Sequence, residues 1–256
     1  MSKLLLIDGD MVAHRCARSC EPTKAKPYLE SLDEAIFRSN DLLYRIINTF
    51  ASTEYRLFIS GDRNFRKQLD PSYKANRASQ PKATHLDPIR ELLVREWQAE
   101  ICDGYEADDG IGMAHNELTI IVSNDKDFRT LEGEHFNPVK NEFEVVDEQM
   151  AAYNFYSLML IGDPPDNIRG VDGVGAVGAK RILSNLDSIE MHNTVRGLYK
   201  DEKRFLLNYR LFRILRSVEE FNEIEATIRE SQGEETPADS AGPDLEELRG
   251  TVCGRC

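Results

Sequence analysis

The sequence predicts an α/β fold in which a mostly parallel central sheet is flanked by helices. Three short apolar runs, rich in Leu, Ile, Val and Phe, are typical of buried strands. These runs are Leu4 to Ile7, Arg56 to Ser60 and Thr119 to Ser123. Because helical patterns separate them, the strands are expected to pair in parallel.

The helices are predicted from apolar spacing and from start signals. Residues Leu32 to Phe50 place apolar side chains at helical intervals between the first two strands. A second helix is expected after Asp87-Pro88, with Asp87 as the N-cap and Pro88 in the first turn. A third helix is expected to begin at Glu106.

Composition limits the class of protein. With 256 residues and 41% hydrophobic content the chain can bury a large core. No apolar stretch approaches the roughly 18 residues of a membrane span, so a monomer in the cytosol is expected, with no membrane partner. Five cysteines favour a reduced compartment over a disulfide framework. The pair in Cys253-Gly-Arg-Cys256 lacks a second pair of ligands, so zinc is not expected.

The net charge of −13 is unevenly distributed. Eleven acidic and three basic residues from Ser217 onward carry −8 of it, and residues 231–256 are predicted to form an acidic, disordered tail. Residues 63–86 are the most basic stretch, where only Asp70 opposes the Lys and Arg side chains. This stretch is either a solvated charged face or a nucleic-acid contact, and overall acidity does not exclude a DNA partner.

Acidic residues follow each predicted strand. Asp8, Asp62, Asp125 and Asp127 stand at or just beyond the carboxyl ends of the three apolar runs. Ligands bind at this edge of an open α/β sheet, so we expect the four carboxylates to converge. Crowded carboxylates repel one another unless cations lie between them, and Mg²⁺ or Mn²⁺ suits oxygen ligands.

Two further acidic segments are candidates for the same site, whereas other acids are interpreted as caps or turn residues. The two segments contain Glu106, Asp108 and Asp109, and Asp163 and Asp166; the residues interpreted structurally are Asp10, Asp87 and Asp103. Two divalent ions roughly 4 Å apart can activate water and stabilise the leaving oxygen of a phosphodiester. The sequence offers no Ser-His-Asp or Cys-His arrangement as a competing mechanism.

A glycine-rich segment at 168–184 matches the helix-hairpin-helix pattern. Gly173, Gly175 and Gly178 open an apolar helix, and Lys180 and Arg181 lie just inside it. Glycines let the backbone approach a phosphate, which the amides of the helix N-terminus can then bind. The contact would be to the DNA backbone, with K⁺ as a further candidate ligand. A plain packing unit of helix, turn and helix is the alternative.

With these motifs in order, residues 3 to 185 resemble the flap endonuclease and 5′→3′ exonuclease family. The family includes stand-alone phage 5′ nucleases and the N-terminal nuclease domain of bacterial DNA polymerase I. The most specific fragments are Phe65-Arg66-Lys67, Ser72-Tyr73-Lys74-Ala-Asn-Arg77, Gly104-Tyr105-Glu106-Ala-Asp108-Asp109, Ser-Asn-Asp125-Lys-Asp127-Phe and Gly162-Asp163-Pro-Pro-Asp166-Asn-Ile. The resemblance implies a PIN-like 5′-nuclease fold with a helical arch and a C-terminal helix-hairpin-helix subdomain.

The resemblance also implies roles for individual residues. A first metal would be held by Asp8, Asp62, Glu106 and Asp108, and a second by Asp109, Asp125, Asp127, Asp163 and Asp166. The basic segment would form the arch over a single 5′ strand, with Arg66, Lys74 and Arg77 near the scissile phosphate. Lys67 would contact DNA, and Tyr73 would stack on a base. The sequence between Asp109 and Thr119 is short for the family, so a trimmed helix is expected.

The predicted organisation has three parts, and two other functions compete with the nuclease. Residues 1–150 would form the catalytic region with the arch at 63–100. Residues 151–230 would form the helical DNA-binding region, and residues 231–256 would form the tail.

The predicted function is a structure-selective 5′ nuclease acting on DNA with 5′ flaps, 5′ ends or nicks, RNA-primed ends included, in a bacterial or phage-infected cytosol. A haloacid-dehalogenase-type phosphatase fits Asp8-Gly-Asp10 but leaves Glu106 and the glycine hairpin unexplained. A non-catalytic DNA-junction binder is the other alternative.

Overall fold

The structure, a computed structural model, describes residues 3–51 and 54–232. Its six-stranded sheet has the order β3-β2-β1-β4-β5-β6, parallel except for β6, and β7 and β8 form a separate antiparallel pair. The strands are β1 (Leu4–Asp8), β2 (Tyr55–Asn64), β3 (Glu100–Gly104), β4 (Thr119–Val122), β5 (Gly133–Asn137), β6 (Glu142–Val146), β7 (Gly162–Asp163) and β8 (Ile168–Arg169).

Helices cover both faces of the sheet and form a second region after β6. They are α1 (Gly9–Ser19), α2 (Leu32–Thr49), α3 (Phe65–Leu69), α4 (Leu86–Trp97), α5 (Ala107–Ala114), α6 (Glu148–Ile161), α7 (Ala176–Leu183), α8 (Ser188–Leu198), α9 (Glu202–Phe212) and α10 (Val218–Gln232). Short 3-10 turns span Ala75–Arg77, Lys126–Thr130 and Pro164–Asp166. No described helix is long and apolar enough to cross a membrane.

Alternating side chains of the central strands divide the core between two faces. Leu5 and Ile7 pack with α1, α2 and α4 on one face, whereas Leu6 packs with α5 on the other. The predicted fold class and the three predicted strands are confirmed. Strand β3 was missed because it lies at the sheet edge, where Ile101 is 58% exposed and no continuous apolar run is needed.

The predicted helices are confirmed with changes at their ends. Helix α2 fills the predicted segment, and α5 is short, as expected. Helix α4 begins two residues earlier than predicted: His85 is its N-cap, and Asp87 lies in the first turn, paired with Lys82. Helix α1 was not predicted; it starts directly after β1 because the Asp8 carboxylate caps it by accepting from Met11 N at 2.8 Å.

The segment predicted to form the helical arch, residues 63–100, is helical in part. It contains α3 and α4, and between them the chain makes turns and the single 3-10 turn Ala75–Arg77. Its backbone is fastened to the loop at 164–167: Lys74 N donates to Asp166 O at 2.9 Å, and the Asn167 side chain donates to Ser72 O at 2.8 Å. These contacts fix the part of the segment between α3 and α4 against that loop.

The C-terminal region is helical, as predicted, but differs in detail. Helix α6 starts at Glu148, and the β7–β8 pair separates α6 from the glycine-rich turn before α7. No long helix therefore directly precedes that turn. Helix α10 returns to the sheet region, where Phe221 packs against Phe65 and Tyr105. Residues 155–212 form a hydrophobic cluster of their own with Tyr73, whereas α10 contributes to the cluster around Phe65. The Cys253 and Cys256 pair and nearly all of the acidic tail lie outside the described residues.

We predict that Gly112 is required for α5 to pack on the linker between α9 and α10. A Cβ there would overlap Leu215 O and lie 2.6 Å from Ile214 Cγ2. Gly112→Ala should therefore cost about 1–3 kcal/mol of unfolding free energy through overpacking, measured by urea denaturation.

Gly197→Ala is the matched control, because its Cβ would meet nothing within 4 Å in α8. It should leave stability unchanged or raise it by up to about 1 kcal/mol. Equal effects of the two substitutions would contradict a close approach at Gly112.

Candidate active site

A pocket lies at the carboxyl edge of the sheet, where the acidic residues converge as predicted. Five of the nine proposed metal ligands line it, together with Lys74 and Arg77: Asp8, Asp62, Glu106, Asp108 and Asp125. They come from the ends of β1, β2, β3 and β4, which the parallel pairing brings level with one another. Val122 pairs with Ile7, which puts the chain after β4 beside Asp8.

Asp8 is the most firmly held of these carboxylates. Its Oδ1 accepts from Met11 N, and its Oδ2 accepts from Ser123 Oγ at 2.7 Å. Only 5% of Asp8 is exposed. The strand end and the start of α1 thus fix both oxygens at the floor of the pocket.

Three residues that sequence reasoning did not assign to the site position its walls. Ser60 Oγ accepts from Ala107 N at 2.9 Å, which joins the end of β2 to the start of α5. Asp10 accepts from Ser60 N at 3.0 Å and pairs with Arg90, which also donates to Ser60 O. Asp10 is thus not the cap or turn residue that the sequence suggested: it lies in the first turn of α1, joins α1 to β2 and lines the pocket, and Arg90 was not predicted.

The other acids form a second group beside the pocket. Asp127, Asp163 and Asp166 lie around Lys126 and Lys74: Lys126 Nζ is 3.8 Å from Asp127 Oδ1 and 4.0 Å from Asp163 Oδ2. Lys74 Nζ is 3.7 Å from Asp166 Oδ2. The carboxylates therefore fall into two adjacent groups.

Burial and mutual repulsion raise the pKa of several of these acids. Burial, followed by the charges of Asp10 and Asp125, raises the pKa of Asp8 to about 7. Burial, followed by the charge of Asp8, raises the pKa of Asp108 well above its usual value. Burial and Asp125 raise the pKa of Asp127 to about 7. The site thus holds more negative charge than its own cations offset.

Tyr73, Lys74 and Arg77 face this group of acids. Burial alone would raise the pKa of Glu106, but Lys74 and Arg66 lower it below its usual value. Lys74 Nζ donates to Glu106, and Arg77 pairs with Asp166. Tyr73 is 4% exposed and its hydroxyl donates to Glu106 Oε2 at 2.8 Å, so in this structure its ring is buried, and stacking on a base stays a prediction.

Arg66 and Asp109 are a buried ion pair outside the pocket. Arg66 is 3% and Asp109 0% exposed, and Arg66 Nη2 donates to Asp109 Oδ1 at 2.8 Å. Arg66 also donates to Leu211 O and Arg213 O, while Asp109 accepts from Glu106 N at 3.0 Å. Arg66, predicted at the scissile phosphate, and Asp109, predicted as a metal ligand, therefore do not line the pocket: the pair joins α5 to α3 and to the end of α9.

The remaining carboxylates fit divalent cations in their chemistry. Asp127 Oδ1 is buried without a hydrogen-bond partner, and the raised pKa values mark carboxylates that lack counter-charge. Among the residues that the structure describes, no three His, Cys, Asp or Glu side chains already surround one point at ligand distances. Glu106 and Asp166 are turned toward Lys74 and Arg77 instead.

The glycine hairpin leads into α7 with an accessible backbone. Gly173 has φ of 78°, and a Cβ at Gly173 or Gly175 would meet nothing within 4 Å. Lys180 and Arg181 are exposed, as is Lys67 on α3. The hairpin can therefore be approached from solvent by a phosphate group.

The parallel sheet with an acidic carboxyl edge, joined to this helical region, defines a PIN-like nuclease fold. Residues 3–156 match the family described as 5′-3′ exonuclease, N-terminal resolvase-like domain. The chain belongs to this 5′-3′ exonuclease family, and the family predicted from the sequence is confirmed.

Individual relatives agree with this assignment. The chain is 33% identical over 181 residues to DNA polymerase I of Borreliella burgdorferi, covering 57% of this chain and 19% of the polymerase. It is 31% identical over 183 residues to flap endonuclease Xni of Aliivibrio fischeri, covering 61% of this chain and 67% of the relative. The fold is similar to that of T5 5′-exonuclease with bound zinc ions, with a TM-score of 0.57, 17% identity, and coverage of 89% and 98% of the two chains.

We predict that Asp109→Asn will destabilise the fold, because it leaves the Arg66 guanidinium buried without its counter-charge. Breaking such a pair typically costs about 3–5 kcal/mol. Urea denaturation measures this loss, and a lost metal ligand alone would not produce it in metal-free buffer.

Asp103→Asn is the matched control, because Asp103 forms an exposed ion pair with Arg63 at 2.7 Å. Exposed pairs contribute little, so its unfolding curve should follow that of the wild type. If Asp109→Asn were as stable as this control, the structural role of the pair would be refuted.

Proposed function

We propose that the chain is a structure-selective 5′ nuclease that hydrolyses DNA phosphodiester bonds with the help of two divalent metal ions, Mg²⁺ or Mn²⁺. The observation that carries the proposal is the convergence of Asp8, Asp108 and Asp125 in one pocket beside Lys74. Membership of the 5′-3′ exonuclease family supports the reaction class.

The two groups of acids suggest how the ions would be shared. Asp8, Asp62, Glu106 and Asp108 line one side of the pocket, and Asp127, Asp163 and Asp166 lie beyond Asp125. Divalent ions held there would act as Lewis acids that activate water and offset charge on the leaving oxygen. Asp109 is not included, because its carboxylate is committed to Arg66.

Lys74 and Arg77 would bind the reacting phosphate. Burial would lower the pKa of Lys74, but Glu106 and Asp166 raise it, so its ammonium stays charged. Cations that replace Lys74 at Glu106 would free the ammonium to face the phosphate, where it would offset charge that develops in the transition state.

The glycine hairpin would bind the duplex away from the cut. The amides around Gly173 and Gly175, with Lys180 and Arg181, suit a phosphate of the DNA backbone, and K⁺ could share this turn. Such contacts carry no sequence information, so low sequence specificity is expected.

The experiment that tests the proposal is cleavage of a 5′-flap duplex, labelled at either end, in Mg²⁺, Mn²⁺ and EDTA. We expect metal-dependent cutting near the junction that Asp108→Asn abolishes. In parallel, Mg²⁺ or Mn²⁺ should raise the melting temperature of the wild type, since cations relieve repulsion between buried carboxylates, and should raise that of the variant less.

Other results would favour the competing functions. Tight flap binding without cutting in either metal would favour a junction binder. Hydrolysis of a small phosphomonoester without cutting of DNA would favour a phosphatase. A variant that cuts like the wild type would remove Asp108 from the mechanism.

We further predict that Lys74→Ala lowers turnover by about a hundredfold, the usual effect of losing one group that stabilises transition-state charge. Affinity for the flap should change less. Single-turnover rates and equilibrium binding in EDTA separate the two effects.

Lys67→Ala is the control, since Lys67 is exposed on α3 in the same basic segment. It should weaken binding without slowing the bound complex. A large loss of affinity with normal turnover in Lys74→Ala would instead make Lys74 a positioning contact.

A further inference from the structure

A cationic groove opens beside the carboxylate pocket on the same side of the sheet. It runs between α1 and α2 and is lined by His14, Arg15, Arg18, Arg38, Asp41 and Arg45. We call it the α1–α2 groove. Met11, His14 and Asn124 line both the groove and the pocket, so the two are continuous.

The cations of the groove differ in how far they are already neutralised. Arg38 pairs with Glu30 at 2.7 Å and with Glu34 at 2.8 Å, and Arg45 pairs with Asp41 at 3.0 Å. Arg15 is exposed and forms no ion pair with any described residue.

Arg18, one helical turn further along α1, is also exposed and also without an ion pair in the described part of the chain. Its guanidinium donates to Pro81 O at 3.3 Å, a neutral acceptor, and Glu21 feels its charge without forming an ion pair with it. The charge left for a ligand is therefore carried by α1, next to His14.

The lining of the α1–α2 groove suits an unpaired strand of nucleic acid. Leu42 and Met11 give the groove an apolar part, and the guanidinium groups stand around it. Cations beside apolar surface suit a phosphodiester chain with unstacked bases.

The cations of the basic segment that line the pocket are already engaged. Lys74 is bound to Glu106, Arg77 is bound to Asp166, and Asn76 donates to Pro164 O at 2.9 Å. A single strand that leaves the pocket on the side of the α1–α2 groove instead meets Arg15 and Arg18, which form no ion pair with any described residue.

We propose that the α1–α2 groove binds the single 5′ strand of a flap substrate, with Arg15 and Arg18 contacting its phosphates. This inference rests on the proposed nuclease function and specifies which surface receives the unpaired strand. The groove would bind by charge, and so without regard to base sequence.

The test is equilibrium binding, in EDTA, of duplexes that carry 5′ flaps of increasing length. Wild-type affinity should rise with flap length, and the Arg15→Ala/Arg18→Ala double variant should lose that rise while binding the flapless duplex normally. Loss of two single-strand phosphate contacts should reduce the salt dependence, as the slope of log K against log salt, by about 1.4.

Arg95→Ala is the control for removing a cation, because Arg95 is exposed on α4, outside the α1–α2 groove, and pairs with Glu96 at 3.2 Å. Arg15→Glu provides a second variant, and it should weaken flap binding further. Unchanged melting temperatures would show that all variants are folded.

Equal flap-length dependence in the wild type and the double variant would overturn the inference. Metal-dependent cutting at the junction in that case would leave the nuclease proposal intact, since cutting is measured separately. If a flap did not increase the affinity of the wild type, and the wild type did not cut flap substrates, both proposals would fail together.

Discussion

The structure depends on a constraint set by like charges: the sheet brings several carboxylates to one edge, and cations must offset their mutual repulsion. Basic side chains of the protein itself offset part of this repulsion. Lys74 neutralises Glu106, Arg77 neutralises Asp166, and Arg90 neutralises Asp10. Burial, together with neighbouring carboxylates, still raises the pKa values of Asp8, Asp108 and Asp127, and burial also raises that of Asp166 despite its pairing. The same imbalance that costs stability creates affinity for divalent cations.

The basic segment serves this constraint in a way that differs from the sequence prediction. Its cations are engaged by acids of the site, and its backbone is fastened to the loop at 164–167. Metal ions and substrate phosphate would compete for the same partners: the ions for Glu106 and Asp166, the phosphate for Lys74 and Arg77. Binding of either is therefore expected to loosen the segment.

Much of the site could be predicted from the sequence because carboxylates placed directly after apolar strands must meet at one sheet edge. Asp8 and Asp125 are of this kind, and both line the pocket. Asp109 could not be assigned correctly, because its neighbour Asp108 has the same residue type and only the fold shows which of them faces Arg66. Spacing within one helical turn distinguishes faces poorly when the helix has eight residues.

The fold shows the same contrast. Strands β1 and β4 are buried and apolar, so their pattern is clear, whereas β3 and β6 lie at the sheet edges and alternate with charge. The arch was implied by the family resemblance, and the residues between α3 and α4 carried no apolar spacing that predicts their secondary structure. Tyr73 illustrates the limit: the resemblance placed it beside a single strand, and only the fold shows that long-range packing buries it.

The return of helix α10 has a consequence for how this chain can be divided. Phe221 and Ile228 cover Phe65 beside the start of α5, so residues far beyond 156 complete the core of the segment that matches the family. An excised fragment ending there would expose that apolar surface and lose the Leu215 amide that donates to Asp109. The apolar surface around Phe65 is thus completed by α10, so this part of the core can form only after α10 has been synthesised.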